Sequence, residues 1–123
     1  MSNAISWFEI PAKNYEKAKS FYNTVLGIEI KDSPMPEGKY GMFPYDSDNN
    51  SVGGGLVEME GYNPSSEGVT VYLNGGDDLS VSLARVESAG GKVVMPKTDI
   101  GENGFMAQFI DTEGNKIALH SWK

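Results

Sequence analysis

The sequence predicts an α+β fold in which a unit of one strand, one helix and three further strands occurs twice. In each half an alternating apolar run is followed by a helical pattern and then by more extended segments. The helix boundary residues repeat at one spacing, because Asn14 and Asp78 lie 64 residues apart and so do Gly27 and Gly91. Two matching offsets close to half the chain length indicate an internal duplication.

Module one, at about residues 5–60, begins with a strand at residues 5–10 that Pro11 ends. Asn14 is a favourable helix N-cap, and Glu16 lies in the first turn, where the helix dipole favours a negative charge. The predicted helix ends at Gly27. One of its faces is apolar, at Tyr15, Ala18, Phe21, Tyr22 and Val25.

Three strands are predicted after this helix. The first begins at residues 28–30, the second spans 40–45, and the third spans 52–59. A polar turn at 46–51 precedes the third strand. The last strand contains Gly53, Gly54 and Gly55. Three glycines in a strand favour sharp curvature, or the close approach of a ligand or a second sheet.

Module two, at about residues 67–122, follows a linker at residues 61–66. Its predicted first strand spans residues 69–73. Asp77 or Asp78 then caps a helix that ends at Gly90 and Gly91 and carries Leu79, Leu83 and Val86. A strand resumes at 93–94, and the dipeptide Asn103-Gly104 indicates a tight turn before residue 105.

The last two strands, within residues 105–122, are predicted to form a hairpin. Gly114 and Asn115 tolerate the backbone conformation that reverses the chain, and the Asp111 side chain can accept bonds from backbone N–H groups ahead of it. In the return strand Ile117 and Leu119 share one face. The other face carries Ala118, His120 and Trp122, and it is suited to line a pocket.

Composition narrows the possible functions. The 123 residues suit one domain with its own core, and the absence of cysteine excludes thiol chemistry and zinc–thiolate sites. A formal charge of −7 disfavours nucleic acid and anionic membranes as partners. Without a long apolar run or a basic-then-apolar leader, we expect a soluble cytoplasmic protein.

Several segments together resemble one known superfamily. The segments are the residues WFEIP at 7–11 before the capped helix, AGGKV at 89–93, and FIDTEGN at 109–115. In this combination the chain resembles the vicinal-oxygen-chelate proteins, which include glyoxalase I, bleomycin-resistance proteins and extradiol dioxygenases. The resemblance covers nearly the whole chain, in the small branch of proteins related to lactoylglutathione lyase. It implies two βαβββ modules whose curled, mixed sheets form a cup with the helices outside, in a homodimer.

The resemblance also implies where a metal would bind. In metal-dependent members four His, Gln or Glu ligands stand on the first and last strands of the two modules. The matching positions here are Trp7, either Val69 or Thr70, Ala118, and either Glu58 or Gly54. At most one of these residues is a metal ligand, and one carboxylate cannot bind a divalent ion alone. We therefore expect no complete metal site and no cofactor.

Seven residues are candidates for the site. The imidazole of His120 can accept or donate a proton and, with Glu9, is the candidate proton-transfer group. Glu9 and Glu58 are expected on the pocket side of their strands, with Trp7 and Leu56, although Glu58 near the linker also fits a solvated strand face. The candidate ligand-binding residues are Trp7, Glu58, Tyr72, Ala118 and Trp122.

The orientation of Tyr72 stays open at this point. Alternation with Val71 and Leu73 directs its hydroxyl into the cup if those two residues pack on the helix. The 64-residue offset instead matches Tyr72 to Phe8, which points the other way. Trp7 and Trp122 could form a stacking wall for a planar or cationic ligand, and core or interface packing explains the two tryptophans equally well.

Three functions follow from these observations. The first is binding, and perhaps transformation, of a small organic molecule in the cup without a metal. The second is sequestration of a cationic drug or metabolite, in the manner of bleomycin-resistance proteins. The third is a metal-dependent glyoxalase-type lyase or dioxygenase, which the residues at the ligand positions disfavour.

Overall fold

The computed structural model describes residues 3–46 and 51–123. Their eight strands form two four-stranded mixed sheets, with little helix. The strands are β1 (Trp7–Pro11), β2 (Lys31–Ser33), β3 (Lys39–Met42), β4 (Gly53–Glu58), β5 (Val71–Asn74), β6 (Lys92–Asp99), β7 (Phe105–Ile110) and β8 (Lys116–Ser121). The helices are α1 (Tyr15–Leu26) and α2 (Ser80–Leu83), and a 3-10 turn spans Gly101–Asn103.

The two sheets have the same topology. Sheet A has the order β1-β4-β3-β2 and sheet B the order β5-β8-β7-β6. In each sheet the first strand runs parallel to the last, and the other pairings are antiparallel. This arrangement confirms the predicted α+β fold with two βαβββ units.

Helix α1 forms as the sequence predicts. The Asn14 side chain accepts a hydrogen bond from the Lys17 N–H at 3.1 Å, and Gly27 ends the helix at φ 65°. The five apolar residues of the predicted face are all buried. The strand predicted at 28–30 lies instead at Lys31–Ser33, because the Ile28 and Ile30 N–H groups donate to the carbonyl and side-chain oxygens of Asn23.

Helix α2 is much shorter than predicted. Asp78 does accept a hydrogen bond from the Ser80 N–H at 2.9 Å, but the α-helix covers only Ser80–Leu83 and continues as turns toward Gly90. Serine and valine in this segment are weak helix formers. Strand β6 is longer than predicted, since it accommodates Pro96 at the sheet edge with two shifts of register.

A single core joins the two sheets. Apolar side chains from the helix-facing sides of both sheets pack around α1. The Phe21 ring lies 5.7 Å from the Phe109 ring of sheet B. The Tyr22 ring lies 5.7 Å from the ring of Phe43, the residue directly after β3 of sheet A. Helix α1 thus packs against both units, so each sheet turns its opposite side away from the core.

Buried hydrogen bonds also connect the units, at the β7–β8 turn. The Asp111 carboxylate, 4% exposed, accepts bonds from the Glu113 and Asn115 backbone, the Asn115 side chain and the Tyr22 hydroxyl. Asn115 in turn donates to the Pro11 carbonyl at 2.8 Å. The turn expected from Asp111 and Gly114 is confirmed, with Gly114 at φ 94°. By contrast, residues 47–50 of the turn predicted at 46–51 lie outside the described residues.

Among the described residues, no helix has both the length and the apolar character needed to cross a membrane.

Candidate functional site

Five of the seven candidate residues lie on the sides of the two sheets that face away from α1, which we call the outer faces: Trp7, Glu9, Tyr72, Ala118 and His120. On sheet A, Trp7 pairs with Gly53 and Glu9 pairs with Gly55. Their neighbours Ile10 and Leu56 are buried on the opposite side, in the core. Strand alternation therefore places Trp7 and Glu9 together on the outer face.

Sheet B has the same arrangement. Tyr72 pairs with Ala118 and Asn74 pairs with His120, whereas Leu73 and Leu119 belong to the core. The orientation of Tyr72 is thereby settled: its side chain is 53% exposed and shares the outer face with His120. Because Trp7 and Tyr72 both lie on outer faces, the strand faces of the two units correspond at an odd offset, such as the 65 residues from Trp7 to Tyr72, and not at the 64 residues of the helix boundaries.

An open cavity of about 650 Å³ lies on the outer face of sheet B, and we call it the His120 cavity. Aromatic and polar side chains line it together. The lining residues are Tyr72, Leu73, Asn74, Gly76, Asp77, His120, Ser121 and Trp122. Of the seven candidates, the structure brings Tyr72, His120 and Trp122 together here, while Ala118 is fully buried between its strand partners Tyr72 and Gln108.

The His120 ring is held by two contacts. Its Nε2 lies 2.7 Å from the Asn103 carbonyl oxygen, and its ring meets Trp122 edge to face at 4.7 Å. Because a carbonyl oxygen can only accept a hydrogen bond, Nε2 must carry the proton. In the neutral ring Nδ1 is then the proton acceptor. This is the arrangement that a general base requires.

The loop before β7 positions the Asn103 carbonyl. Gly104 has φ 95°, and a side chain there would approach the Ser121 carbonyl oxygen to 2.4 Å. Only glycine fits this turn, so the predicted Asn103-Gly104 signal is confirmed. The turn also places a backbone acceptor beside His120, and alternation patterns do not reveal such an acceptor.

A second group of side chains lies on the outer face of sheet A. The Trp7 indole Nε1 donates to the Tyr40 hydroxyl at 2.9 Å, and that hydroxyl donates to Glu9 Oε2 at 2.9 Å. The Trp7 ring also meets Tyr45 edge to face at 5.6 Å. No residue of this group lines the His120 cavity. The cup residues expected from the sequence therefore lie in two separate groups.

Burial raises the pKa of the Tyr40 hydroxyl, the Trp7 N–H opposes this rise, and the bond to Glu9 adds to it. Tyr40 therefore remains a hydrogen-bond donor at neutral pH. The adjacent glycines make room for the rings: a side chain at Gly55 would meet the Tyr40 oxygen at 2.2 Å, and one at Gly53 would meet Tyr45 at 2.6 Å.

Glu58 is not on the outer face, and the prediction that placed it there with Trp7 is wrong. Within β4 it lies two residues after Leu56 and therefore shares the face of Leu56, which is buried in the core. Its Oε1 accepts a hydrogen bond from the Tyr15 N–H at 2.7 Å. Glu58 therefore satisfies a free N–H group in the first turn of α1, where the helix dipole favours a carboxylate.

The residues at the metal positions do not fit a divalent cation. At the positions where metal ligands would stand, the paired residues of the outer faces are Trp7 with Gly53 and Tyr72 with Ala118. None of these four residues offers a carboxylate or an imidazole. The alternatives considered from the sequence fall elsewhere, since Gly54 faces the Phe8 ring and Val69 precedes β5 with 92% exposure. Within residues 3–46 and 51–123, no three His, Asp or Glu side chains cluster to hold a metal ion.

Tyr40, Asn74 and Asp77 are among the residues of these groups that were not predicted. Tyr40 lies in a predicted strand, but only the pairing of β3 with β4 shows that it shares a face with Glu9. Asn74 and Asp77 line the cavity. Asn74 lies at the end of β5 and Asp77 lies next to the cap of α2, and the sequence indicates both of these boundaries. Polar residues at strand ends are a usable signal for them.

Comparison with known proteins shows the family to which this fold belongs. Residues 4–119 match the model of the Glyoxalase/Bleomycin resistance protein/Dioxygenase superfamily. A glyoxylase-like domain-containing protein of Didymella fabae is 32% identical over 119 residues, which are 94% of this chain and 91% of that protein. The CFP32 protein of Mycobacterium bovis, which carries the provisional name of a glyoxylase, is 28% identical over 117 residues. That match covers 93% of this chain, which spans only 44% of the length of the mycobacterial protein.

Two solved structures from Streptomyces sp. CB03234 are similar over nearly their whole length. One is a glyoxalase/bleomycin resistance protein with 29% identity and a TM-score of 0.70, covering 94% of this chain and 97% of that one. The other is TnmS3, an antibiotic binding protein, with 26% identity and a TM-score of 0.64, covering 100% and 99%.

Proposed function

Because the chain belongs to the glyoxalase/bleomycin resistance protein/dioxygenase superfamily, we propose that it binds a small organic molecule in the His120 cavity. The observation that carries this proposal is the cavity itself, of about 650 Å³. Its volume falls in the range of about 300–1,000 Å³ that is usual for small-molecule sites. Exposed aromatic rings at Tyr72 and Trp122 provide apolar contact, and His120 and Asp77 provide polar groups.

The chemistry available in the cavity is proton transfer at His120. With Nε2–H bonded to the Asn103 carbonyl, Nδ1 accepts a proton from a bound molecule. The carbonyl also stabilises the protonated ring, because the hydrogen bond donated by a charged imidazolium is stronger than the one donated by the neutral ring. Glu9, the other candidate base, belongs to the group on sheet A and takes no part in this step.

Sequestration of a ligand without turnover is the second candidate function. It is favoured by the similarity to TnmS3, an antibiotic binding protein matched over the whole chain. Metal-dependent lyase or dioxygenase chemistry is not proposed, because the residues at the ligand positions do not fit a metal.

The proposal includes a homodimer in which a second copy covers part of the outer faces. Large apolar residues are exposed on or beside the outer face of sheet B, with Tyr72 at 53% and Trp122 at 67%. Exposed apolar surface of this kind commonly marks an interface. Sedimentation equilibrium tests this part: a dimer at micromolar concentration is expected, and a monomer at all concentrations contradicts it.

The function is tested with the variants His120→Gln and Trp122→Phe. A library of aromatic antibiotics is screened by thermal shift, and turnover is assayed with the hemithioacetal of methylglyoxal and glutathione. Ligands that stabilise the protein are expected to bind more weakly to Trp122→Phe. Loss of turnover in His120→Gln, with binding retained, assigns the proton transfer to His120. Equal binding by the parent and Trp122→Phe excludes the His120 cavity.

A further inference from the structure

We propose that Asn103 is a site of spontaneous amide loss, and that the isoaspartate formed there replaces the backbone carbonyl that holds His120 with a carboxylate. The sequence has two Asn-Gly dipeptides, at Asn74 and Asn103. Asn74 lines the His120 cavity and Asn103 contacts the His120 ring. The proposal goes beyond ligand binding, because it concerns a covalent change in the protein that needs no ligand.

The reaction is an exchange of bonds within the chain, followed by hydrolysis. The Gly104 backbone nitrogen gives up its proton and bonds to Cγ of Asn103, while the side-chain nitrogen takes up a proton and leaves as ammonia. Glycine favours this attack because it has no Cβ to hinder it. Water then opens the cyclic imide. When water adds to the former backbone carbonyl carbon, the bond from this carbon to the Gly104 nitrogen breaks, and the chain continues through Cγ as isoaspartate.

The Asn103 side chain is free to take part in this reaction. It is exposed and has no hydrogen-bond partner among the described residues. The Gly104 N–H donates to the Gly101 carbonyl at 3.1 Å, across a single 3-10 turn. Hydrogen bonds in 3-10 turns have poor geometry, and exposed turns open locally at little cost. Opening of this one turn therefore frees both reacting groups.

His120 promotes the reaction at the same peptide bond. Its Nε2–H donates to the Asn103 carbonyl at 2.7 Å, and this carbonyl and the Gly104 nitrogen belong to one peptide unit. A hydrogen bond to the oxygen draws electron density from the nitrogen, so the Gly104 N–H loses its proton more readily. The same bond makes the carbonyl carbon more electrophilic, and attack of water at this carbon gives isoaspartate.

Asn74 is followed by the same residue type, but its reacting groups are held. The Gly75 N–H donates to the His120 carbonyl at 2.7 Å, and Asn74 Oδ1 accepts a bond from the Gly76 N–H at 2.9 Å. The first of these bonds continues the pairing of β5 with β8. Asn74 is therefore an internal reference, with the same intrinsic chemistry and a protected geometry.

The product changes the surroundings of His120. In isoaspartate the former carbonyl carbon of Asn103 carries the free carboxylate, so the acceptor of the Nε2–H bond gains a negative charge. A hydrogen bond to a carboxylate is shorter and stronger than one to a neutral carbonyl. The imidazole NMR signals of His120 should therefore differ between fresh and converted protein. These signals have no overlap with others of their kind, because the sequence has one histidine.

The experiment is incubation of the whole protein at mildly alkaline pH, followed by peptide mass mapping. Trypsin places Asn103 in the peptide 98–116 and Asn74 in the peptide 40–85. Fragment masses locate the exchange of an amide for a carboxyl group, and an isoaspartate-specific methyltransferase identifies the isoaspartate. In the native protein Asn103 should convert roughly tenfold faster than Asn74, which is the scale of one additional hydrogen bond that has to break. In concentrated urea the two rates should be similar.

Two variants separate the cause from the consequence. His120→Phe removes the Nε2–H group, so it should slow the conversion of Asn103 in the native protein and leave the rate in urea unchanged. Asn103→Gln keeps the backbone carbonyl, but its longer side chain forms a cyclic imide much more slowly. Its His120 signals should stay constant during incubation, whereas those of the parent should change in step with the isoaspartate content. Asn103 is exposed, so Asn103→Gln should fold even if His120→Phe does not.

Each part of the proposal has a contrary result. Conversion of Asn103 no faster than that of Asn74 in the native protein overturns the site. Formation of aspartate alone, or unchanged imidazole signals once isoaspartate has formed, overturns the effect on His120. Equal native rates in the parent and His120→Phe overturn the promotion by the imidazole. No ligand is present in these measurements, so their outcome is independent of the function proposed for the His120 cavity.

Discussion

Replacing Asp111 with alanine should destabilise the fold strongly, because this one carboxylate joins the two structural units. It is 4% exposed and accepts four hydrogen bonds. The backbone N–H groups of Glu113 and Asn115 donate to Oδ1 at 2.8 and 2.9 Å, and the Asn115 side chain and the Tyr22 hydroxyl donate to Oδ2 at 2.9 and 2.5 Å.

The magnitude follows from the donors that are left without a partner. The turn can open and expose its backbone N–H groups to water, but the Tyr22 hydroxyl is fully buried in the core. A hydrogen bond to a charged group contributes about 1.5–3 kcal/mol, and an unsatisfied buried group costs about 1–3 kcal/mol. We expect a loss of about 3–5 kcal/mol for Asp111→Ala. That is a large part of the roughly 5–15 kcal/mol that stabilises an ordinary domain.

The assay is urea denaturation followed by circular dichroism, with the slope m compared between variants. Tyr22→Phe removes one of the four donors and should cost about 1–2 kcal/mol. Glu102→Ala is the control: Glu102 is an exposed acid without a hydrogen-bond or ion-pair partner among the described residues, so its removal should leave stability within about 0.5 kcal/mol. A loss below about 1 kcal/mol for Asp111→Ala, at unchanged m, would refute this account.

Three further predictions concern stability. Gly54→Ala places a methyl group about 2.3 Å from the Phe8 ring, so it should cost about 1–3 kcal/mol in urea denaturation. The hydrogen bond from Lys97 lowers the pKa of Asp78 from an ordinary 3.8 to about 2. Because the folded-state pKa is the lower one, the stability that this pair contributes is complete above about pH 4 and is lost as the pH falls toward 2. Asp78→Asn should therefore show a shallower acid decline. Burial raises the pKa of Tyr22 well above 10.0, so stability should fall as the pH rises above 10, and less steeply in Tyr22→Phe.

Each of these predictions has its own contrary result. Unchanged stability of Gly54→Ala would show that the Phe8 ring moves aside freely. Asp77→Asn, at the exposed neighbour of Asp78, should keep the parent acid profile, and an equal change in both variants would remove the role of the Lys97 pair. Tyr62→Phe should keep the parent alkaline profile, because Tyr62 is more exposed than Tyr22.

Local patterns predicted the order of the elements and the ends of some of them. Residue alternation marked the strands of the final hairpin, and Asn14 and Gly27 marked the ends of α1. Such signals are local, since a cap or a turn depends on a few neighbouring residues. Helix α2 was overestimated because Asp78 does bond to Ser80, but the following residues form only one helical turn before irregular turns begin.

The composition of the site could not be predicted in the same way. Alternation within one strand gives two faces, but only pairing between strands decides which residues of different strands share a face. Glu58 was therefore grouped with Trp7, although it caps α1. Tyr40 meets Glu9 through the pairing of β3 with β4, and His120 meets a backbone carbonyl in a loop. Neither contact leaves a pattern in the sequence.

The central claim is that a small organic molecule binds in the His120 cavity, and chemical-shift mapping with a set of aromatic fragments tests it most directly. With backbone, indole and imidazole signals assigned, binding fragments should shift Trp122, His120 and Tyr72, which line the cavity together. These shifts should weaken in Trp122→Phe. Fragments that shift none of the three residues, or that bind Trp122→Phe as tightly as the parent, would contradict the claim.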